Sequence, residues 1–366
     1  MRIANKPMVS RRRLIAAAAA ACAVPSALRA DADLPAITSV PDRLKGTGSL
    51  RVATAGGTLS AAMRRAIFEP FERLSGIRIA DTEGFSPAQI KSQVDAGAVQ
   101  WDAVSMEYSN ALQLDQDGAY LEPLDYDLIS TDGFPLNQIH KSALGGLIVG
   151  TIITYRTDAF GAKIPSGYKD FWNTAAFPGP RNWMSGAIGI APFLEGALLA
   201  DGVPMAALYP LDVPRALRSL TRLRDDIVKF WESGAQSAQL MADDETILGV
   251  AWNGRVTPLA RAGLPVGIQW NEAMFQTDCW VVPKGAANRV NAMKLIAFAS
   301  LPEPQARFSS LLDYGFTNMR AADYLPAARL AQLPSHYLDR GFWFDSHWWG
   351  ANKASVTEAF VQWSLG

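Results

Sequence analysis

A chain of 366 residues with 49% apolar side chains has the length for two folded units around sizeable cores. Its net charge of −1 at pH 7 carries no cationic surplus for nucleic acid. Two cysteines exclude a disulfide scaffold, and His140, His336 and His347 lack the spacing of a zinc site.

The N-terminus reads as an export signal. Arg2 and Lys6 lead into Ser10-Arg11-Arg12-Arg13, and a mostly alanine run follows from Leu14 to Val24. That run is short of the roughly 20 residues that span a bilayer. Small residues then offer cleavage after Ala30 or Ala32, so residues 1–32 are expected to be removed on export to the periplasm. The paired arginines and mild apolar run suit the twin-arginine type, which exports folded chains. Cys22 follows Ala19-Ala20-Ala21 without the leucine of a lipoprotein signal, which argues against lipidation there. Residues 1–32 hold six basic side chains (Arg2, Lys6, Arg11, Arg12, Arg13, Arg29) and one acid (Asp31), so without them the net charge moves from −1 to −6. Cys279 then remains alone, and no intrachain disulfide is possible. Residues 33–48 are polar with Pro and Gly, and are expected to form a mobile leader.

Strand and helix patterns alternate from there. A strand is predicted at Leu50–Ala55, then a Gly56-Gly57-Thr58 turn and a helix capped by Ser60 and stopped by Gly76. Ile77–Ala80 returns as strand, Pro87 opens a helix, Asp102–Ser105 is a third strand, and a helix follows from Ser109 to Asp117. This rhythm predicts a mostly parallel sheet flanked by helices, with ligand at the carboxyl ends of the strands. The Gly56-Gly57 pair lacks the spacing of either phosphate-binding loop, though amides before a helix can meet an anionic group. Residues 145–156 form a long, glycine-bearing apolar strand suited to crossing between lobes. Leu194–Gly202, Val213–Phe230 and Val290–Ser300 read as helices.

The segment from Ala251 to Gly285 concentrates the chemistry. It contains Trp252-Asn253-Gly254-Arg255, Trp270, and Asp278-Cys279-Trp280 before Val281–Gly285. Aromatic faces and one fixed carboxylate can hold an organic cation. A single tryptophan is more often core than cleft. Three within thirty residues, all beside turns, favour a cleft. Arg255 would meet a ligand carboxylate if it faces the cleft and is a surface charge if it faces solvent. Asp243-Asp244-Glu245 reads as a solvated loop or helix cap. No Ser-His-Asp order, Cys-His pair, metal cluster or carboxylate dyad points to an enzyme, and no cofactor is expected.

Several phrases in sequence carry a resemblance. They are Ala55-Gly56-Gly57, Phe68-Glu69-Pro70-Phe71-Glu72, Ser75-Gly76-Ile77, the run from Gly118 to Tyr126, and Phe177-Pro178-Gly179-Pro180-Arg181. Next come the run from Leu194 to Val203, Tyr209-Pro210-Leu211-Asp212-Val213, Ser233-Gly234-Ala235-Gln236-Ser237, Trp252-Asn253-Gly254-Arg255, and Trp280 to Gly285. In this order the chain resembles the spermidine/putrescine-type extracellular solute-binding proteins of bacterial ABC transporters, over about residues 49–366. The resemblance implies an α/β, two-lobe periplasmic binding protein fold of type II, with mixed sheets flanked by helices and an interlobe cleft. Lobe 1 would comprise residues 49–145 plus 277–321, and lobe 2 residues 146–276 plus 322–366. Crossings would fall near residues 145–150, 275–277 and 322–325, and hinge closure would trap the ligand.

The resemblance also assigns contacts. Asp278 would pair with a ligand amine, Trp252 would pack on its aliphatic chain, and Glu107 and Tyr108 would contribute from the loop after the third strand. Trp280, Asn253, Gly57, Thr58, Arg255 and Glu195 complete the candidate ligand-binding set, Glu195 either at the cleft or paired within its helix. The main expectation is a monomeric receptor for a small linear amine such as putrescine or spermidine, delivered to a membrane permease, with no nucleic-acid partner. The chain departs from polyamine binders at Gly56-Gly57-Thr58 and at Gln276, where they carry aromatic or acidic residues. An ω-amino acid or opine-like ligand, with Arg255 or the Gly56-Gly57 amides at its carboxylate, is the alternative.

Overall fold

The computed structural model describes residues 34–186 and 191–365; the export signal lies outside them. Ten strands are described: β1 Ser49–Thr54, β2 Arg78–Glu83, β3 Ala103–Glu107, β4 Ile139–His140, β5 Ala143–Arg156, β6 Arg181–Met184, β7 Ile227–Trp231, β8 Leu248–Trp252, β9 Val266–Val281 and β10 Phe342–Trp343. Their order is β2-β1-β3-β9-β5-β8-β6-β7, with β4 beside β5 and β10 beside β9. The outer pairs β1/β2, β1/β3, β6/β7 and β6/β8 are parallel, as strand–helix alternation predicts. The centre is antiparallel: β5 pairs with both β8 and β9, and β9 pairs with β3.

The 14 residues of β5 and 16 of β9 make a spine that serves two cores. At about 3.3 Å per residue each strand reaches past 40 Å, far beyond the usual five or six residues. Leu144, Leu147 and Trp280 enter one core with Phe68, Phe71 and Phe298. Ile153, Tyr155 and Met274 enter another with Trp183, Trp231 and Trp349. The opposite face carries Ala143, Cys279 and Val281 at one end and Ile148, Ile152 and Phe275 at the other. Leu144 and Leu147 are three apart, so strict alternation would split them between faces. A register shift between Gly145 and Leu147 returns both to one core. Gly146 permits it, because a Cβ there would stand 3.0 Å from the Trp280 indole nitrogen.

Three expectations are corrected. The first helix begins at Gly57, behind Gly56 at φ 97°, while Ser60 is buried and bonded to Thr54. That helix, Gly57–Met63, runs through a π-turn, Arg64–Phe68, into Glu69–Ser75. Pro70 has no N–H for the Ala66 carbonyl, and the wider turn just before it absorbs the mismatch. The helix expected over 213–230 stops at Thr221, and Ile227–Trp231 is strand β7; its β-branched and aromatic residues favour a pleated neighbour. The leader is packed. Leu34, Val40 and Leu44 are 6%, 7% and 2% exposed, and Arg307 holds the Pro35 carbonyl at 2.9 Å.

Candidate functional site

The antiparallel register of β3 on β9 sets Glu107 directly opposite Asp278. Residues so paired project from the same face. Leu147 of β5 lies on the other side of Asp278, so the carboxyl is flanked by an apolar residue and an acid. Asp278 is part-buried, and no hydrogen-bond donor meets its carboxyl among the described residues. Desolvation first, and the Glu107 charge second, push that carboxyl up to about 7. Glu107 also starts the helix Tyr108–Gln116, where its carboxylate accepts the Ser109 N–H at 2.8 Å and the Ser109 hydroxyl. Lys353, on the C-terminal helix Ser346–Leu365, reaches Asn110 at 3.3 Å. Burial lowers the Lys353 ammonium, and Glu107 opposes that shift.

The second part of the site comes from the end of β8. Trp252 closes the strand and precedes the helix Asn253–Arg261. Its indole meets Trp231 edge-on at 5.5 Å and lies against Gly234, where a Cβ would come within 2.7 Å of it. Arg255 is half-buried one turn later and stands close enough to the Tyr314 hydroxyl to influence it. Its Nε is buried with no partner among the described residues. Gly254 makes room for Tyr314, since a Cβ there would fall 2.4 Å from that ring. Burial raises the Tyr314 phenol, Arg255 lowers it, and Asp278 raises it again. Tyr314 therefore feels both a cation from β8's end and the carboxyl on β9. Reading the sequence missed it. An aromatic residue followed by Gly315, just past a helix, was the available signal.

The fold separates the other candidates from this cluster. Asn253 is fully buried, and its amide is spent on the backbone, accepting from Gly150 N–H at 3.0 Å and donating to the Asp313 carbonyl. Trp280 is 1% exposed and packs edge-on against Phe68. Glu195 is fully buried in the second core, accepting from the Tyr209 hydroxyl at 2.5 Å and the Trp349 indole at 2.7 Å. Burial raises its carboxyl, and those two donors oppose the rise. Tyr108 turns toward Cys279, on the face of β9 opposite Asp278. There it lines a cavity of about 340 Å³ with His140, Phe275, Thr277 and His347. Gly57 and Thr58 are exposed in the first turn of the helix after β1, with open space where a Gly57 Cβ would stand.

A guanidinium with an unpartnered Nε and a carboxyl without a donor thus both act on one buried phenol. Comparison with known proteins bears on this. Residues 66–333 match the family described as bacterial extracellular solute-binding protein. The gamma-aminobutyric acid-binding protein of Pseudomonas aeruginosa is 31% identical over 326 residues, 86% of this chain and 91% of that one. The spermidine/putrescine-binding periplasmic protein of Escherichia coli is 24% identical over 55% of this chain and 56% of its own. Among solved structures, the Atu4243-GABA receptor superposes with a TM-score of 0.80 at 32% identity, covering 86% of this chain and 97% of the other. The likeness gives the fold its class, the two-lobe periplasmic binding protein of type II.

Proposed function

Because the chain belongs to the bacterial extracellular solute-binding proteins, we propose that it captures an ω-amino acid of the γ-aminobutyrate kind and delivers it to an ABC-transporter permease. The observation that carries this reading is that Arg255, with its unpartnered Nε, and Asp278, with its undonated carboxyl, both act on Tyr314. A zwitterion answers both groups at once: its carboxylate takes the guanidinium and its ammonium takes Asp278. Trp252, beside Arg255, offers a face to the methylenes between. A polyamine would place ammonium charge at both ends and leave Arg255 facing a like charge. The γ-aminobutyrate-binding relative and the superposed receptor support the same choice. Export by the twin-arginine signal, lobe boundaries within the β5/β9 spine and closure on the ligand belong to this proposal. Binding is the role read here, since the relatives are receptors rather than enzymes.

Thermal shift and calorimetry on residues 33–366, with γ-aminobutyrate, putrescine, spermidine and an opine, test it. At 100 times Kd a ligand stabilises its receptor by about 2.7 kcal/mol. We expect that shift with γ-aminobutyrate. Arg255→Gln should weaken γ-aminobutyrate by about 2–3 kcal/mol and leave putrescine binding no weaker. Putrescine binding tightly to the unmodified protein while γ-aminobutyrate does nothing would reverse the choice of ligand. An opine alone shifting the melt would move the ligand class.

A further inference from the structure

The two carboxyl groups at the site are arranged unequally, and that asymmetry has a thermodynamic consequence. Glu107 and Asp278 face each other across one antiparallel pair, on one face, without a cation between them in the strands. Glu107 already has donors in the Ser109 N–H and hydroxyl, and Lys353 lies on its side of the site. Asp278 has none of these and is hemmed by Leu147. The other charged or titratable groups that act nearby are Arg255, which is directed at Tyr314, Tyr314 itself, and the buried Cys279 thiol beside Asp278. A charged Asp278 would face the Glu107 side chain across the strand pair in a part-buried site with no donor of its own, which favours its protonated form.

Resting on the ligand reading above, we propose that in the empty receptor Asp278, set opposite Glu107, holds a proton, and that capture of the ligand's ammonium expels it to solvent. The balance is simple. An ammonium that arrives already protonated meets a neutral carboxylic acid; the Asp278 O–H bond breaks, the proton leaves to buffer, and an ammonium–carboxylate pair remains. Ligand uptake is thereby coupled to proton release, so affinity rises with pH until Asp278 is ionised before the ligand arrives. Burial and Glu107 place that limit near 7. Since the ammonium and carboxylate of an ω-amino acid keep their charges between pH 5 and 8, the dependence belongs to the receptor. The device makes the protein a weaker receptor in an acidified exterior, where it would release ligand that it holds at neutral pH.

The test is titration calorimetry of the full mature protein with γ-aminobutyrate, in buffers of different ionisation enthalpy. At pH 6 the expected release is about 0.9 proton per ligand bound, falling to about 0.1 at pH 8, and affinity at pH 5 should be about 100-fold below that at pH 8. Glu107→Gln should cut the release at pH 6 by more than half. Asp278→Asn should abolish it. Heats independent of buffer at pH 6, with tight binding at pH 8, would overturn the coupling and leave the ligand reading intact. Loss of the pH dependence in a His140→Gln/His347→Gln double variant, with its survival in Asp278→Asn, would also overturn it. If putrescine binds with proton release and γ-aminobutyrate does not bind, the coupling stands and the zwitterion reading falls. If neither binds at pH 8, both fall together.

Discussion

At Asp278 the proposed ligand contact and the stability of the empty fold pull against each other. Its carboxyl titrates higher in the fold than the ordinary 3.8, at about 7, because the folded chain desolvates it and sets Glu107 against it. Its protonated form therefore stabilises the empty fold at low pH, and that contribution is lost as pH rises through about 7. The window runs from about 4 to 7, with a slope approaching about 1.4 kcal/mol per pH unit. Asp278→Asn should flatten this part of the stability–pH curve and make the empty protein more stable at pH 8, as urea unfolding at several pH values will show. The same change should weaken an amine ligand at least tenfold, about 1.4 kcal/mol. Asn253 and Trp280 stand beside the proposed ligand residues in sequence, yet the fold buries both. Adjacency along a strand or at a helix start says nothing of which face a side chain takes.

At the scale of elements, the site depends on how the helix Asn253–Arg261 leaves β8. Asn253 pins its start to Gly150 of β5, and Gly254 lets the Tyr314 ring pass over the backbone. Gly254→Ala would drive a methyl into that ring, and overpacking of this kind costs about 1–3 kcal/mol. Because Tyr314 also neighbours Arg255, the variant should lose ligand affinity along with stability. A variant that loses stability while its affinity stays at the parent level would show that Tyr314 does not position Arg255. The helical turns, strand bounds and caps of the outer units were mostly legible, since they rest on local periodicity and turn chemistry. The overlong helix reading across 213–230 failed where an amphipathic window ran on into a β-branched strand.

The whole molecule places two cores at the ends of one antiparallel spine, so the proposed ligand groups come from different parts of the chain: Glu107 from β3, Arg255 after β8, Asp278 from β9 and Tyr314 beyond it. The segment before β1 is part of this assembly. Leu44 is 2% exposed among Val52, Ile77 and Leu295. Leu44→Ala should destabilise the protein by about 2–4 kcal/mol, measured by chemical denaturation. A mobile leader would give no change.

Much was settled by the amino-acid sequence alone: the alternating α/β pattern, the long glycine-bearing strand, and the Trp252–Arg255 and Asp278 motifs, each encoded in contiguous residues. The order of short phrases carried the family likeness as well. Tertiary structure decided which of these residues meet. Register on β9 put Glu107 against Asp278, a register shift between Gly145 and Leu147 set the faces of β5, and a distant loop brought Tyr314 under the influence of both Arg255 and Asp278. Those are pairings between segments up to 171 residues apart, from Glu107 to Asp278. Local propensity cannot specify them, because they follow from burying the faces of several strands at once.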